Sequence, residues 1–351
     1  MRKYRYKLIY ALLAFTLMVA IVAGCVTTEP ATTQRPATEP TLNTTAPSTP
    51  VETIPIVPTL PPTEPPTAPT VTVPPGILPD LEPPELKGTA AFIYDARTNQ
   101  FIYSSAAVDT ALYPASITKL FTAYVALQFL EATESVTVGK EVELVSYDAS
   151  KAGLEKGQTW TVEGLLYCAL LPSGCDASYT LAVAAGRKIL LDPKASIDDA
   201  LKAFMLQCNI LAQELGMENT NFVTPDGYHH KNHYISIMAY PIIAQCILED
   251  EVLSAIVKTP SKTVKYANMA GRKCSTKMWN TNKILRSGFP DIYRSEAIGL
   301  KTGSTRQAGN CLLSAFAVEG GHIIIGVFGC PEKYDRFTDT NLLFDYYLTL
   351  E

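Results

Sequence analysis

The chain has 351 residues, 47% of them hydrophobic, with 34 acidic against 29 basic side chains and a net charge of −5. That length holds one sizeable core, or two small ones. An acidic balance excludes the electrostatic footprint of a nucleic-acid binder, so no nucleic-acid partner is expected.

In chain order, Arg2, Lys3, Arg5 and Lys7 form a basic head, followed by an apolar run from Leu8 to Ala23. Val22-Ala23-Gly24-Cys25 closes it, so residues 1–25 read as an export signal and not as a fold element. Its ending resembles the lipobox of bacterial lipoproteins, which implies that Cys25 is acylated and becomes the first residue of the mature chain. Two or more acyl chains would hold the protein at the membrane, each buried CH₂ contributing about 0.8 kcal/mol. The expected location is the cell membrane, on its extracytoplasmic face. Residues 26–85 are rich in Thr and Pro and carry 17 of the 25 prolines. Few large apolar groups are present to offset the entropy of ordering, so this stretch is expected to be a disordered stalk.

Residues 86–351 are left as the globular domain. Ala90 to Tyr94 and Gln100 to Tyr103 flank Asp95-Ala-Arg-Thr-Asn99 and predict a hairpin. Pro114 suits a helix start, and bulky groups at Leu120, Tyr124 and Leu127 have helical spacing, so a buried helix is expected from about Ala115. Further helices are predicted over 162–171, 176–189 and 336–348. Cys311 to Val318 and His322 to Phe328 form a second hairpin around Glu319-Gly-Gly321. Strands at both ends with a helical middle predict an α+β fold whose terminal hairpins share one antiparallel sheet, the middle forming a lobe of its own.

Three stretches carry chemistry. In Pro114-Ala-Ser116-Ile-Thr-Lys119, Ser116 and Lys119 lie three apart on one face of a first helical turn. A serine hydroxyl is a weak nucleophile, and an amine kept neutral by desolvation and nearby positive charge serves as its base. The helix start also offers backbone N–H groups where an oxyanion would form. In Pro172-Ser173-Gly174-Cys175-Asp176, Pro172 ends one helix and Asp176 is expected to cap the next, leaving a tight exposed corner. In Gly299-Leu-Lys301-Thr302-Gly303-Ser304, small residues and a lysine on a strand edge let a peptide approach the backbone.

Ser-x-x-Lys, then Ser-x-Asn, then Lys-Thr-Gly is the motif order of the penicillin-recognising serine enzymes. The flanking segments Glu214 to Phe222 and Trp279 to Leu285 extend the likeness over essentially all of 86–351. The sequence resembles the D-alanyl-D-alanine carboxypeptidases among the low-molecular-mass penicillin-binding proteins. That resemblance implies a β-lactamase/transpeptidase-like fold: a five-stranded antiparallel sheet flanked by helices, with an all-helical lobe and no second β-domain. It implies that Ser116 attacks the D-Ala-D-Ala carbonyl to form an acyl-enzyme, that Lys119 takes its proton, and that Ser173 relays a proton to the leaving amine. Lys301, Thr302, Gly303 and Ser304 would bind substrate: Lys301 and Thr302 its terminal carboxylate, Gly303 by permitting close approach, with an oxyanion hole at the backbone N–H groups of Ser116 and Ser304. The implied partners are peptidoglycan stem peptides and β-lactams. No metal or organic cofactor is implied.

Two departures stand out. Cys175 occupies the position of the family's usual asparagine, and a thiol is a weak donor where an amide offers two strong ones, so its role is open. Many relatives also carry a β-rich second domain and a C-terminal anchor. Here the N-terminal lipid and stalk are expected to replace that anchor. A muropeptide endopeptidase fits the same motifs, as does a β-lactamase slowed by the lack of a Glu-x-x-Leu-Asn loop. A catalytically silent, β-lactam-sensing lipoprotein is a further alternative. The other cysteines read as small buried hydrophobes. His229, His230 and His233 sit in a loop without a second cluster, so no metal is expected, and Trp279 is expected in the core.

Overall fold

The computed structural model describes residues 82–350. The leader ending at Cys25, and the Thr/Pro-rich stretch up to residue 81, lie outside the described residues. In chain order the strands are β1 (Ala90–Asp95), β2 (Gln100–Ser104), β3 (Ala111–Leu112), β4 (Ser135–Thr137), β5 (Thr159–Thr161), β6 (Ile235–Ser236), β7 (Ser261–Ala267), β8 (Lys273–Trp279), β9 (Ala297–Thr305), β10 (Gly309–Val318) and β11 (Gly321–Cys330). The α-helices are α1 (Thr118–Phe129), α2 (Val162–Leu170), α3 (Cys175–Ile189), α4 (Ile197–Glu214), α5 (Ala239–Glu249), α6 (Glu251–Lys258) and α7 (Asp335–Leu350).

The terminal hairpins do share one sheet. Its order is β2-β1-β11-β10-β9, and every pair is antiparallel. Strand β11 reads His-Ile-Ile-Ile-Gly-Val-Phe because both of its faces are covered. Ile323, Ile325 and Val327 join the core beneath α7, while Ile324 and Phe328 join the larger core shared with the helical lobe. On the α7 side Phe316 stacks on Phe344 with centroids 4.2 Å apart. On the other side Phe92 faces Gly326 across the β1–β11 ladder, and a Cβ there would lie 2.3 Å from the Phe92 ring.

Helix α1 runs through the middle of the larger core. Eight of its residues are buried, Lys119, Leu120, Phe121 and Val125 among them, so it is enclosed on all sides and not along one stripe. The expected start at Ala115 becomes a separate 3₁₀ turn, Ala115–Ile117, which carries Ser116. The lobe expected to be all helix also contains a four-stranded sheet, β4-β5-β7-β8. Its long hairpin escapes a hydrophobicity reading because only Val264 of β7 and Met278 of β8 are buried, among lysines and threonines. With Met278 turned inward, period-two alternation sends Trp279 out to solvent, 48% exposed, against the expectation of a core residue.

The N-terminal entry is tied to α7 by two buried carboxylates, Asp335, which pairs with Lys87 Nζ at 2.8 Å, and Asp339. Asp339, 2% exposed, accepts the backbone N–H of Lys87 at 2.9 Å and of Gly88 at 2.8 Å on Oδ2. Asp339→Ala is expected to cost about 3 kcal/mol in unfolding free energy by stranding these donors, and Asp339→Asn less, since an amide oxygen still accepts. Chemical denaturation with matched m-values checks this.

Candidate active site

Three elements converge on one cleft of about 630 Å³: the Ala115–Ile117 turn, the Pro172–Cys175 corner and the outer strand β9. Ser116, Ser173, Cys175, Thr302, Gly303 and Ser304 line it. Lys119 and Lys301 lie beneath its wall with no solvent exposure. The residues singled out in the three short motifs are thus brought to one place.

The Ser116–Lys119 pair is in contact. Lys119 Nζ donates to Ser116 Oγ at 2.8 Å and to the Asp226 backbone carbonyl at 2.8 Å. The turn before the helix is tight, with Ala115 at φ 47°, a left-handed conformation costly for a residue with a Cβ. Gly227 makes room for it, since a Cβ there would lie 1.9 Å from the Ala115 carbonyl oxygen. Gly303 does the same from the strand side, where a Cβ would come within 2.8 Å of the Pro114 carbonyl and 3.1 Å of the Ser116 nitrogen. Because β9 is the last strand of its sheet, alternate backbone groups along it lack a strand partner.

The loop after α4 grips the first turns of α1 at three points. Besides the Asp226 bond to Lys119, Thr122 Oγ1 donates to the Pro225 carbonyl at 2.7 Å. The third point is His233, 2% exposed. Its Nδ1 receives the backbone N–H groups of Val223 (3.3 Å) and Thr224 (3.2 Å), so the ring proton sits on Nε2. Nε2–H then donates to Thr118 Oγ1 at 3.0 Å, and that hydroxyl donates to the Ala115 carbonyl at 2.8 Å. Sequence reading weighed His233 only as a metal ligand. Its role rests on backbone donors, which leave no trace in side-chain spacing.

The Ser-Gly-Cys corner is a correction. It is buried and not exposed, with Ser173 at 7% and Cys175 at 4%. Asp176 does not cap α3; Gly174 holds that position. The Asp176 carboxylate instead accepts the backbone N–H groups of Ala152, Gly153 and Leu154 at 2.8–2.9 Å, folding residues 150–154 over the corner. Ser150 completes the cover, its hydroxyl donating to the Ser173 carbonyl at 2.6 Å. Burial pushes the Cys175 thiol up from 9.0, Lys119 pulls it back, and Asp226 pushes it up again. A thiol held protonated is a poor target for oxidation.

Electrostatics on the β9 side are set by crowded cations. Burial first, then Lys119 and Arg336, drive Lys301 well below the usual lysine range. Arg336, from α7, donates to the Gly303 carbonyl (3.0 Å) and to Ser304 Oγ (2.9 Å) and lines the cleft. Thr281 Oγ1 lies 2.7 Å from Thr302 Oγ1. At the cleft mouth, Tyr228 Oη donates to Asp148 at 3.0 Å, joining the two loops that flank Ser116 and Cys175. Neither Arg336 nor Asp148 belongs to a motif, and a single arginine on a terminal helix has no signal that spacing detects.

A family profile described as D-alanyl-D-alanine carboxypeptidase matches residues 79–331. The D-alanyl-D-alanine carboxypeptidase of Streptomyces sp. strain K15 is 33% identical over 272 residues, covering 75% of this chain and 88% of its own. The crystal structure of the Streptomyces K15 DD-transpeptidase superposes with a TM-score of 0.69 at 29% identity, covering 77% of this chain and all of that one. Solved variants of the K15 enzyme change a serine and a cysteine two positions apart, the spacing of Ser173 and Cys175. DacF of Bacillus subtilis is 26% identical, covering 73% of this chain and 61% of its own. A D-alanyl-D-alanine endopeptidase of Escherichia coli is 27% identical, covering 74% and 77%.

Burial holds His233 neutral and lowers its pKa from 6.5 to about 4, with His230 and His229 adding to the shift and Asp226 opposing it. As pH falls from 6.5 towards 4 the unfolded chain takes up a proton that the folded one refuses. Stability is therefore lost across that window, by on the order of 3 kcal/mol at most. Urea unfolding of the wild type from pH 7 to pH 4 is expected to show this slope, and His233→Gln to flatten it while lowering stability at pH 7.

Proposed function

The chain belongs to the D-alanyl-D-alanine carboxypeptidase family of penicillin-binding hydrolases, and from that premise we propose that it removes the terminal D-alanine of peptidoglycan stem peptides through an acyl-enzyme on Ser116. The observation that carries this reading is the 2.8 Å contact between Ser116 Oγ and the buried Lys119 Nζ.

Ser116 Oγ attacks the carbonyl carbon of the D-Ala-D-Ala bond as Lys119 Nζ takes the hydroxyl proton. The Asp226 carbonyl holds Nζ in line, so little reorganisation is needed at the moment of attack. Negative charge develops on the substrate oxygen, which the backbone N–H groups of Ser116 and Ser304 receive. Removing one such donor typically costs about 10²–10³ in rate. Ser173 relays the proton held by Lys119 to the nitrogen of the departing D-alanine as the C–N bond breaks, leaving Lys119 neutral again. Water then attacks the ester; one of its protons goes to the Ser116 oxygen as the C–O bond breaks, and its hydroxyl stays on the shortened peptide as the new carboxylate. The thiol of Cys175 borders this path but is a weak donor, so the substrate amide is held less firmly there than by an asparagine.

The terminal carboxylate is received at the β9 end, by the Thr302 and Ser304 hydroxyls and the Arg336 guanidinium, with Lys301 behind them. Because Lys301 already sits below the ordinary lysine range, it loses its proton early as pH rises, and the carboxylate loses a cation. The endopeptidase named among the relatives would use the same machinery on a cross-linked peptide. The lipobox-like Val22-Ala23-Gly24-Cys25 supports attachment to the outer face of the cell membrane, with the Thr/Pro-rich stretch as a tether.

Intact mass after incubation with benzylpenicillin is expected to rise by one β-lactam in the wild type and to stay unchanged in Ser116→Ala. The same variant should release no D-alanine from a soluble pentapeptide. A wild-type adduct without any D-alanine release would assign a sensing role instead. The alkaline limb of kcat/KM is expected to begin below the usual lysine range, and to vanish for a pentapeptide amidated at its C-terminus. Cys25→Ala is expected to move the protein from the membrane fraction to the soluble fraction.

A further inference from the structure

Between Glu251 and Asp291 the chain carries eight Lys and Arg residues and not one Asp or Glu, although the protein as a whole is acidic. None of the eight forms an ion pair with a carboxylate among the described residues. Lys258 ends α6, five lie on the β7–β8 hairpin, and Lys283 and Arg286 lie on the segment leading from it to β9. On β8, Lys273, Lys277 and Trp279 share the outward face, and Lys265 of β7 sits on the same side opposite Ser275. A run of like charges without counter-charges repels itself, so it is not there for stability.

Aromatic rings, in place of carboxylates, hold four of these cations, Lys262, Lys277, Lys283 and Arg286. Lys277 Nζ lies 4.2 Å and the Arg286 guanidinium 4.7 Å from the Trp279 ring centre. Arg286 is also 4.9 Å from Phe289, and Lys283 bridges Phe289 (4.5 Å) and Tyr334 (4.1 Å). A cation resting on a ring keeps its full charge and most of its N–H donors free. Trp279 and Tyr334 are about half exposed, at 48% and 51%. The result is a surface ladder of ordered, uncompensated positive charge, a preformed acceptor for a polyanion.

The ladder meets the cleft at two points. Two residues beyond Trp279, Thr281 lines the cleft against Thr302. Beside Tyr334, Lys333 lines it as well. We propose that this strip docks the polymeric substrate, binding the carboxylates of stem peptides that neighbour the one in the cleft. The identity of the partner rests on the peptidase reading above, because every uncut stem then ends in a carboxylate and the polymer repeats that charge. Continuity with the cleft favours this polymer over a phosphate-bearing one or an anionic lipid surface, neither of which would need to reach Ser116.

The test uses the full chain, wild type and Lys277→Glu/Arg286→Glu, with Lys277→Gln/Arg286→Gln as a milder pair should charge reversal impair folding. Co-sedimentation with insoluble peptidoglycan stripped of phosphate polymers is measured at ~50 and ~300 mM salt, since exposed charge pairs are screened over that range. Wild-type binding is expected to weaken with salt and to fall when the peptidoglycan carboxylates are amidated. The variant is expected to bind about tenfold less at low salt and to lose its salt dependence. Its D-alanine release from the insoluble polymer should fall in step, while release from a soluble pentapeptide and acylation by penicillin stay at wild-type levels. Equal polymer binding by wild type and variant would overturn the proposal. So would a variant defect seen only with phosphate-bearing wall polymer or with anionic vesicles. Sedimentation reads the strip and the pentapeptide reads the peptidase assignment, so either fails separately from the other.

Discussion

A lysine with no contact to solvent, one residue inside a helix that is itself enclosed, is the constraint on which the rest of the structure depends. Burying an amine costs several kcal/mol unless its hydrogen bonds are met, and Lys119 meets two, with the Ser116 hydroxyl and the Asp226 carbonyl. Those partners come from opposite directions along the chain. One is the turn just before the helix. The other is a loop more than a hundred residues later, which must be folded back against α1 for the lysine to be buried at all. The aromatic stack of Phe121 on Phe222 and the buried His233 hold that loop where it is needed. Burial of the base and shape of the nucleophile's turn are therefore one property.

The opposite wall answers to a different requirement, close approach. Strand β9 comes so near the Ser116 turn that no side chain fits at residue 303. Arg336 braces the strand from behind by taking the Gly303 carbonyl and the Ser304 hydroxyl, and its own charge adds to that of Lys119 in lowering the affinity of Lys301 for a proton. A site that crowds two lysines and an arginine together is short of negative charge. A substrate bearing a carboxylate supplies it, so the same group that identifies the substrate also relieves the site's repulsion.

Cys175 belongs to this balance as well. A loop pinned by Asp176 closes over it, and burial keeps the sulfur protonated, so it contributes shape more than charge. The charge the protein does display is elsewhere, on the β7–β8 hairpin and the segment after it, where rings and not carboxylates order the cations.

The strands at both ends, the enclosed helix, and the three short motifs whose residues meet in the cleft were legible in the order of residues. These are local patterns: period two or near-continuous apolar runs, helical spacing, and glycine and proline where the backbone turns. The sequence also carried enough likeness to point to the family. What those residues touch is set by packing between distant parts of the chain. The Asp226 carbonyl, the backbone donors on His233, and the hold of the Asp176 carboxylate on the backbone of residues 152–154 all involve main-chain groups that every residue has, so no spacing of side chains announces them. The same holds for the sheet in the helical lobe and for Trp279. A strand with one buried residue in seven has almost no hydrophobic pattern, and which face of it meets solvent depends on what packs against the other.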